Sequence, residues 1–117
     1  MKKTEMMKKN YEFRNALSKG NYYSGRYIEA FIKKNKKQDI NYLGIAISVK
    51  IAKAVKRNYI KRLIRENYQF YENFLKKGYA IVLLWKKKVD TKNANYQNIN
   101  KDMKTIFDKA KIIEEII

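Results

Sequence analysis

Cysteine, histidine and proline are all absent from this 117-residue chain, and glycine occurs only four times. Without cysteine there is no disulfide framework and no thiolate zinc site. Without histidine, imidazole general bases and imidazole metal ligands are excluded as well. Those two absences remove most familiar active sites. Acids are scarce too, with eleven Asp and Glu in all. They are scattered (Glu12, Glu29, Asp39, Glu66, Glu72, Asp90, Asp102 and Asp108 among them), and none forms the compact pair that a two-metal nuclease site requires. Catalysis by the chain alone is not expected. No apolar run approaches the roughly 20 residues that a membrane span needs. The basic start Met1-Lys2-Lys3 leads through Met6 and Met7 into Lys8 and Lys9, without the apolar stretch of a signal peptide. A soluble, cytoplasmic protein with no membrane partner is expected.

What is present is positive charge and aromatic carbon. Twenty-eight Lys and Arg leave a net charge of +17, far beyond the magnitude of ~2–8 that solubility requires of a small domain. Self-repulsion of that size weakens the compact state. A polyanionic partner offsets it, because each neutralised phosphate releases condensed counterions. Hydrophobic residues still make up 45% of the chain, including ten Tyr and five Phe, enough for a continuous core. A domain of this length buries roughly two thirds of the surface its unfolded chain exposes. With no proline, linker or repeat to mark a boundary, residues 1–117 are expected to form a single domain that binds a polyanion such as nucleic acid.

Periodicity predicts the elements. Residues 5–18 read as a short helix stopped at Gly20, with Met7, Tyr11 and Ala16 on one side. Residues 26–33 alternate and are rich in β-branched and aromatic types, as a strand is. A charged turn leads to a second strand over 42–49, expected to pair with the first as a hairpin. From Ala52 to about Lys77 runs the longest helical pattern, ended by Gly78. Tyr59, Ile60, Leu63, Ile64, Phe70, Tyr71 and Phe74 share its apolar arc; Arg57, Asn58, Lys61, Arg62, Arg65 and Gln69 lie opposite. The unbroken apolar run 79–85 predicts a strand covered on both faces. Helical spacing returns over 95–113 through Ile99, Met103, Ile106, Phe107, Ala110 and Ile113. The order α-β-β-α-β-α implies an α/β (α+β) sandwich on a small mixed sheet of about three to four strands, like that of many ribosomal proteins.

The long helix carries the densest charge. Between Lys50 and Glu66 stand seven cations and one acid. Lys53, Arg57, Lys61 and Arg65 recur every four residues and form a slowly winding stripe. Like charges stacked this way repel by a few tenths of a kcal/mol per pair. A merely solvated face would alternate in sign, whereas a nucleic-acid interface collects one sign. The arginines add bidentate grip on phosphate oxygens, which Lys does not provide. Asn58, within the stripe, can contact phosphate or a sugar hydroxyl, help hold a hydrated metal ion, or cap a turn.

The motif Lys53-Ala54-Val55-x-Arg57-Asn58-x-Ile60-Lys61-Arg62-Leu63-x-Arg65-Glu66 resembles the signature helix of the bacterial ribonuclease P protein family, whose core is Arg-Asn-Arg followed by Lys-Arg. Asn10-Tyr11-Glu12-Phe13 is similar to that family's opening helix, with Gly20 and Arg26 at its spacing before the first strand. Gly44-Ile45-x-Ile47-Ser48-x-Lys50 is similar to its second strand. The resemblance covers roughly residues 7–85 well, and the last helix by pattern. It departs at three places: Tyr59 stands where the family has Arg, Val49 where Lys is usual, and Leu17 where the opening helix carries an aromatic residue. Because Tyr59 falls on the apolar arc, packing is its expected role.

The resemblance implies an accessory subunit of a ribonucleoprotein endoribonuclease. In that family the RNA performs the chemistry, with Mg²⁺ at the RNA active site, and removes the 5′ leader of precursor tRNA. The protein binds the single-stranded leader in a cleft between sheet and opening helix, and also contacts the catalytic RNA. Carried over by position, the cleft residues are Phe13, Leu17 and Phe31, with Ser48, Lys50, Lys61 and Arg62 at its edge. Lys53, Arg57, Asn58 and Arg65 are the RNA-facing stripe. No catalytic residue, tightly bound cofactor or small-molecule substrate is implied for the protein itself. A ribosomal or other structural RNA-binding protein would share the size, charge and fold class, and only the signature helix separates the two. Without the resemblance, Phe13 and Phe31 would read as core residues.

Overall fold

The computed structural model describes residues 3–37 and 39–114. The chain runs through β1 (Thr4–Met6), α1 (Asn10–Lys19), β2 (Asn21–Ser24), β3 (Ile28–Lys34), β4 (Asn41–Ala46), α2 (Ala54–Glu72), β5 (Tyr79–Trp85), a single 3₁₀ turn (Thr91–Asn93) and α3 (Tyr96–Ala110). The strands form one five-stranded mixed sheet in the order β1-β4-β5-β3-β2. The mixed α+β class expected from the sequence is the one observed, with more strands than three or four.

Both extra strands sit at the sheet's edges. Thr4, Glu5 and Met6 pair in parallel with Asn41, Tyr42 and Leu43, so the segment expected to open the first helix is strand, and the helix starts at Asn10. Asn21–Ser24 turns back on β3 as an antiparallel hairpin. Strands of three and four residues are too short to display a period of two, which is why the sequence hid them. The expected hairpin between the strands read at 26–33 and 42–49 does not form. β5 lies between β3 and β4, antiparallel to the first and parallel to the second. An apolar run buried on both faces belongs at the centre of a sheet. The parallel β4–β5 pair needs a crossover, and α2 provides it.

One sheet face carries the core. Ile28, Ala30, Ile32, Leu43, Ile81, Leu83 and Trp85 point to that face and are buried against Ile60, Ile64 and Tyr68 of α2 and Ile99, Met103, Ile106 and Phe107 of α3. Each such side chain, fully buried, contributes about 1.5–3 kcal/mol. The buried stripe of α2 is Ile60, Leu63, Ile64, Asn67, Tyr68, Tyr71 and Glu72. Tyr59 and Phe70 lie about 100–125° from its centre at the helical step of 3.6 residues per turn. They are accordingly 39% and 54% exposed, which corrects the expectation that Tyr59 packs in the core. The polar Asn67 inside the stripe is satisfied: it donates to the carbonyls of Leu63 and Tyr96 and accepts from Asn100 Nδ2, tying α2 to α3.

At the β2–β3 turn the backbone amides of Arg26, Tyr27 and Ile28 all donate to the Asp102 carboxylate of α3. Gly25 makes this approach possible, since a Cβ there would stand 2.5 Å from Asp102 Cγ. Long-range pairing of this kind fixes where the hairpin rests on the helix layer.

Candidate nucleic-acid interface

Among the described residues, the second sheet face is covered by α1. Strand register divides it into three rows. Tyr42, Ala80 and Lys33 form the first, Gly44, Val82 and Phe31 the second, and Ala46, Leu84 and Glu29 the third. β2 extends the second and third rows, with Tyr22 opposite Phe31 and Ser24 opposite Glu29. α1 crosses near the second row, where Ala16 is buried. Phe13 lies directly on Gly44: a Cβ at position 44 would meet its Cδ2 at 3.0 Å. On α1, Phe13 and Leu17 stand four residues apart on one flank and Tyr11 and Asn15 on the other. Phe13 and Leu17 therefore lie on the flank of α1 opposite Asn15, which holds Lys33 of the first row.

Neither Phe13 nor Phe31 belongs to the core; both are half-buried on this outer face. Phe31 packs on Tyr22 with ring centroids 5.2 Å apart and planes tilted by 53°. Tyr22 is 52% exposed and donates its hydroxyl proton to Glu29 Oε2 at 2.7 Å. That bond to a carboxylate raises the Tyr22 pKa above the ordinary tyrosine value, so the ring stays neutral. A cavity of about 470 Å³ continues from Tyr22 and Glu29 to Arg26 and Lys86, Lys87 and Lys88. Sequence reasoning missed Tyr22 and this basic border. The Lys86–Lys88 run after an apolar strand was the available signal, whereas Tyr22 sits in an edge strand with no pattern of its own.

Ser48 and Lys50 lie just beyond the third row, where the chain leaves β4. The Lys50 amide donates to Ser48 Oγ at 3.3 Å and the Lys50 side chain is exposed. Lys61 and Arg62 belong to α2, on the layer packed against the other face. Arg62 pairs there with Glu66 at 3.5 Å and covers the Tyr59 ring at 5.6 Å, with Lys56 on the same ring at 5.3 Å. Tyr59 is thus an exposed aromatic between two cations.

The basic stripe begins at the amino end of α2. Lys53 is the N-cap residue, without a side-chain cap, and the first turn contains no acid. Cations at the positive end of a helix dipole are unfavourable by about 0.3–1 kcal/mol each, and the same end favours an anion. Arg57 is half-buried and donates to the Ala52 carbonyl at 2.7 Å, which fixes its guanidinium near the loop. Lys53, Asn58 and Arg65 are exposed. Among the described residues no group of acids gathers to hold a metal ion. Mg²⁺ takes carboxylate and phosphate oxygens, whereas Asn58 stands between Arg57, Lys61 and Arg62, so this donor set fits phosphate and does not fit a protein-held cation. No described helix is long and apolar enough to cross a membrane.

A family model described as Ribonuclease P matches residues 1–111. The chain belongs to the ribonuclease P protein family. A ribonuclease P protein component from Clostridium acetobutylicum is 36% identical over 112 residues, covering 95% of this chain and 92% of that protein. One from Fusobacterium nucleatum is 38% identical, covering 92% and 97%. The solved structure of the Staphylococcus aureus RNase P protein is similar with a TM-score of 0.80 and 28% identity, over 93% of this chain and 97% of that one. Family membership makes this chain the protein subunit of an endoribonuclease partnered by the ribonuclease P RNA, and it decides against the ribosomal alternative that size and charge left open.

Proposed function

We propose that this ribonuclease P protein binds the single-stranded 5′ leader of precursor tRNA in the cleft between α1 and the third row of the sheet, while α2 binds the catalytic RNA. The observation that carries this reading is the pair Phe13 and Phe31, half-exposed on one sheet face and outside the core. Aromatic platforms beside cations suit single strands, because stacking is worth about 1–3 kcal/mol per base and tolerates any base. Phe13, Phe31, Tyr22 and Leu17 supply apolar surface. Lys50 on one side, and Arg26 and Lys86–Lys88 on the other, supply charge along the strand's path. Lys53, Arg57, Asn58 and Arg65 meet the phosphates of the RNA subunit, with Lys61 and Arg62 on the same helix. Hydrolysis belongs to the RNA and its bound Mg²⁺; the protein holds substrate and RNA in register and lowers the Mg²⁺ concentration they require.

Reconstitution tests this. The purified protein, added to an isolated bacterial ribonuclease P RNA at low Mg²⁺, is expected to restore cleavage of precursor tRNA. It should tighten precursor binding and leave mature tRNA binding nearly unchanged, since mature tRNA has no leader to grip. Equal tightening of both would refute leader binding while leaving a role in RNA assembly.

A further inference from the structure

The flank of α1 that faces away from the proposed leader cleft has its own cavity. It occupies about 660 Å³ and is lined by Tyr11, Asn15, Tyr42 and the lysines 33, 34, 36 and 37. Its floor is the first row of the sheet, Tyr42, Ala80 and Lys33, and its rim is the turn after β3. α1 and the Phe13–Gly44 contact separate it from the cleft. The volume lies within the ~300–1,000 Å³ typical of ligand pockets.

Its charge is mostly positive; the Tyr42 hydroxyl faces Lys37 and, with Glu5 and Asp39 nearby, raises the pKa of that lysine. Among the described residues, Glu12 is the one acid on a wall that carries four lysines. Lys33 is oriented by a hydrogen bond from its ammonium to Asn15 Oδ1. Among the described residues Lys34, Lys36 and Lys37 form no ion pair. Two aromatic rings complete the cavity. Tyr42 is half-buried in the floor, and Tyr11 is 65% exposed at the rim with Lys9 5.6 Å from its ring centroid. Lysines alone would suit any anion. Lysines around two accessible rings suit a ligand that carries both phosphate and a flat base.

We propose that this cavity is a second site for single-stranded RNA, taking one nucleotide with its base against Tyr42 and Tyr11 and its phosphates among Lys34, Lys36 and Lys37. The site does not depend on the leader reading, because its residues share no side chain with the cleft. An acidic protein segment would meet the lysines but leave the rings unused, and it is the outcome against which the RNA reading is tested.

The experiment uses the full chain alone with a fluorescein-labelled single-stranded hexanucleotide carrying one 5-iodouridine, for crosslinking and for titration. Crosslinks are expected at Tyr42 or Tyr11 as well as in the cleft, and they should persist in Phe31→Ala. Changing Lys34, Lys36 and Lys37 together to Gln should abolish the Tyr42 and Tyr11 crosslinks. In the Phe31→Ala background it should weaken binding about tenfold and lower the salt slope by about 0.7 for each phosphate no longer neutralised. Crosslinks confined to Phe13, Tyr22 and Phe31 would overturn the proposal. So would an equal loss of affinity for a poly-glutamate competitor and for RNA, since that would reduce the cavity to a general anion patch. The lysines are at the surface, and circular dichroism of the triple variant checks that the fold is kept. Failure here leaves the reconstitution result untouched, so the two readings fall separately.

Discussion

Phe13 rests on the bare Cα of Gly44, so close that a methyl group at position 44 would meet its ring at 3.0 Å and Met7 Sδ at 3.0 Å. Glycine here is a matter of space and sets how closely α1 approaches the sheet. Gly44→Ala should lift Phe13 and widen the cleft, with a stability loss of about 1–3 kcal/mol as in other overpacked sites. Thermal unfolding measures the loss, and precursor-tRNA titration should show weaker binding than stability alone explains. Unchanged precursor affinity in a folded variant would mean that the leader does not use the Phe13 ring.

The stripe on α2 predicts a salt effect. Arg57→Ala, Lys61→Ala and Arg65→Ala combined should flatten the salt dependence of RNA-subunit binding by about 0.7–0.9 for each phosphate left without its cation. A salt titration with the fold intact by circular dichroism reads this directly. An unchanged slope would remove the stripe from the interface.

Asp102 is a structural acid. Its carboxylate accepts from three consecutive backbone amides, those of Arg26, Tyr27 and Ile28. Bonds to a charged acceptor are worth about 1.5–3 kcal/mol each, and donors left unsatisfied carry a further penalty. Asp102→Ala should therefore cost at least about 3 kcal/mol in denaturant unfolding and unsettle Tyr22 through the loosened turn. Asp102→Asn, which keeps one acceptor oxygen, should cost less.

Alkali should unfold the protein through Tyr68. Burial raises its hydroxyl pKa to about 12, and that hydroxyl shares a 2.6 Å hydrogen bond with Thr4 Oγ1. The unfolded chain releases this proton near pH 10, whereas the folded chain holds it until about 12. The contribution is therefore fully present below pH 10 and lost as pH climbs from about 10 to about 12, by on the order of 2–3 kcal/mol. Tyr71, whose pKa burial also raises, adds to the decline above pH 10. Tyr68→Phe should lose about 1 kcal/mol at neutral pH and show a shallower alkaline decline. Urea midpoints measured between pH 8 and 12 check both effects.

Much of this protein was legible in the chain itself. The charge excess and the one-sign stripe pointed to a nucleic-acid partner before any contact was known, and the signature helix pointed to RNA. Strands of seven residues and helices of 15 and 19 were readable because they are long enough to repeat their period. Phe13 and Phe31 were different. By composition they were core residues, and the family resemblance alone marked them as cleft residues. Tertiary structure decided the rest. β5 displaces β4 from β3 because central position depends on burial of both faces, a property of the assembled sheet. Thr4–Met6 and Asn21–Ser24 became strands because partners elsewhere in the chain offered free edges. Tyr59 and Phe70 fell outside the core because a helix buries only the arc its neighbours reach. The lysine-rich cavity beside α1 joins residues from positions 7 to 80, and no local spacing announces a wall assembled over that distance.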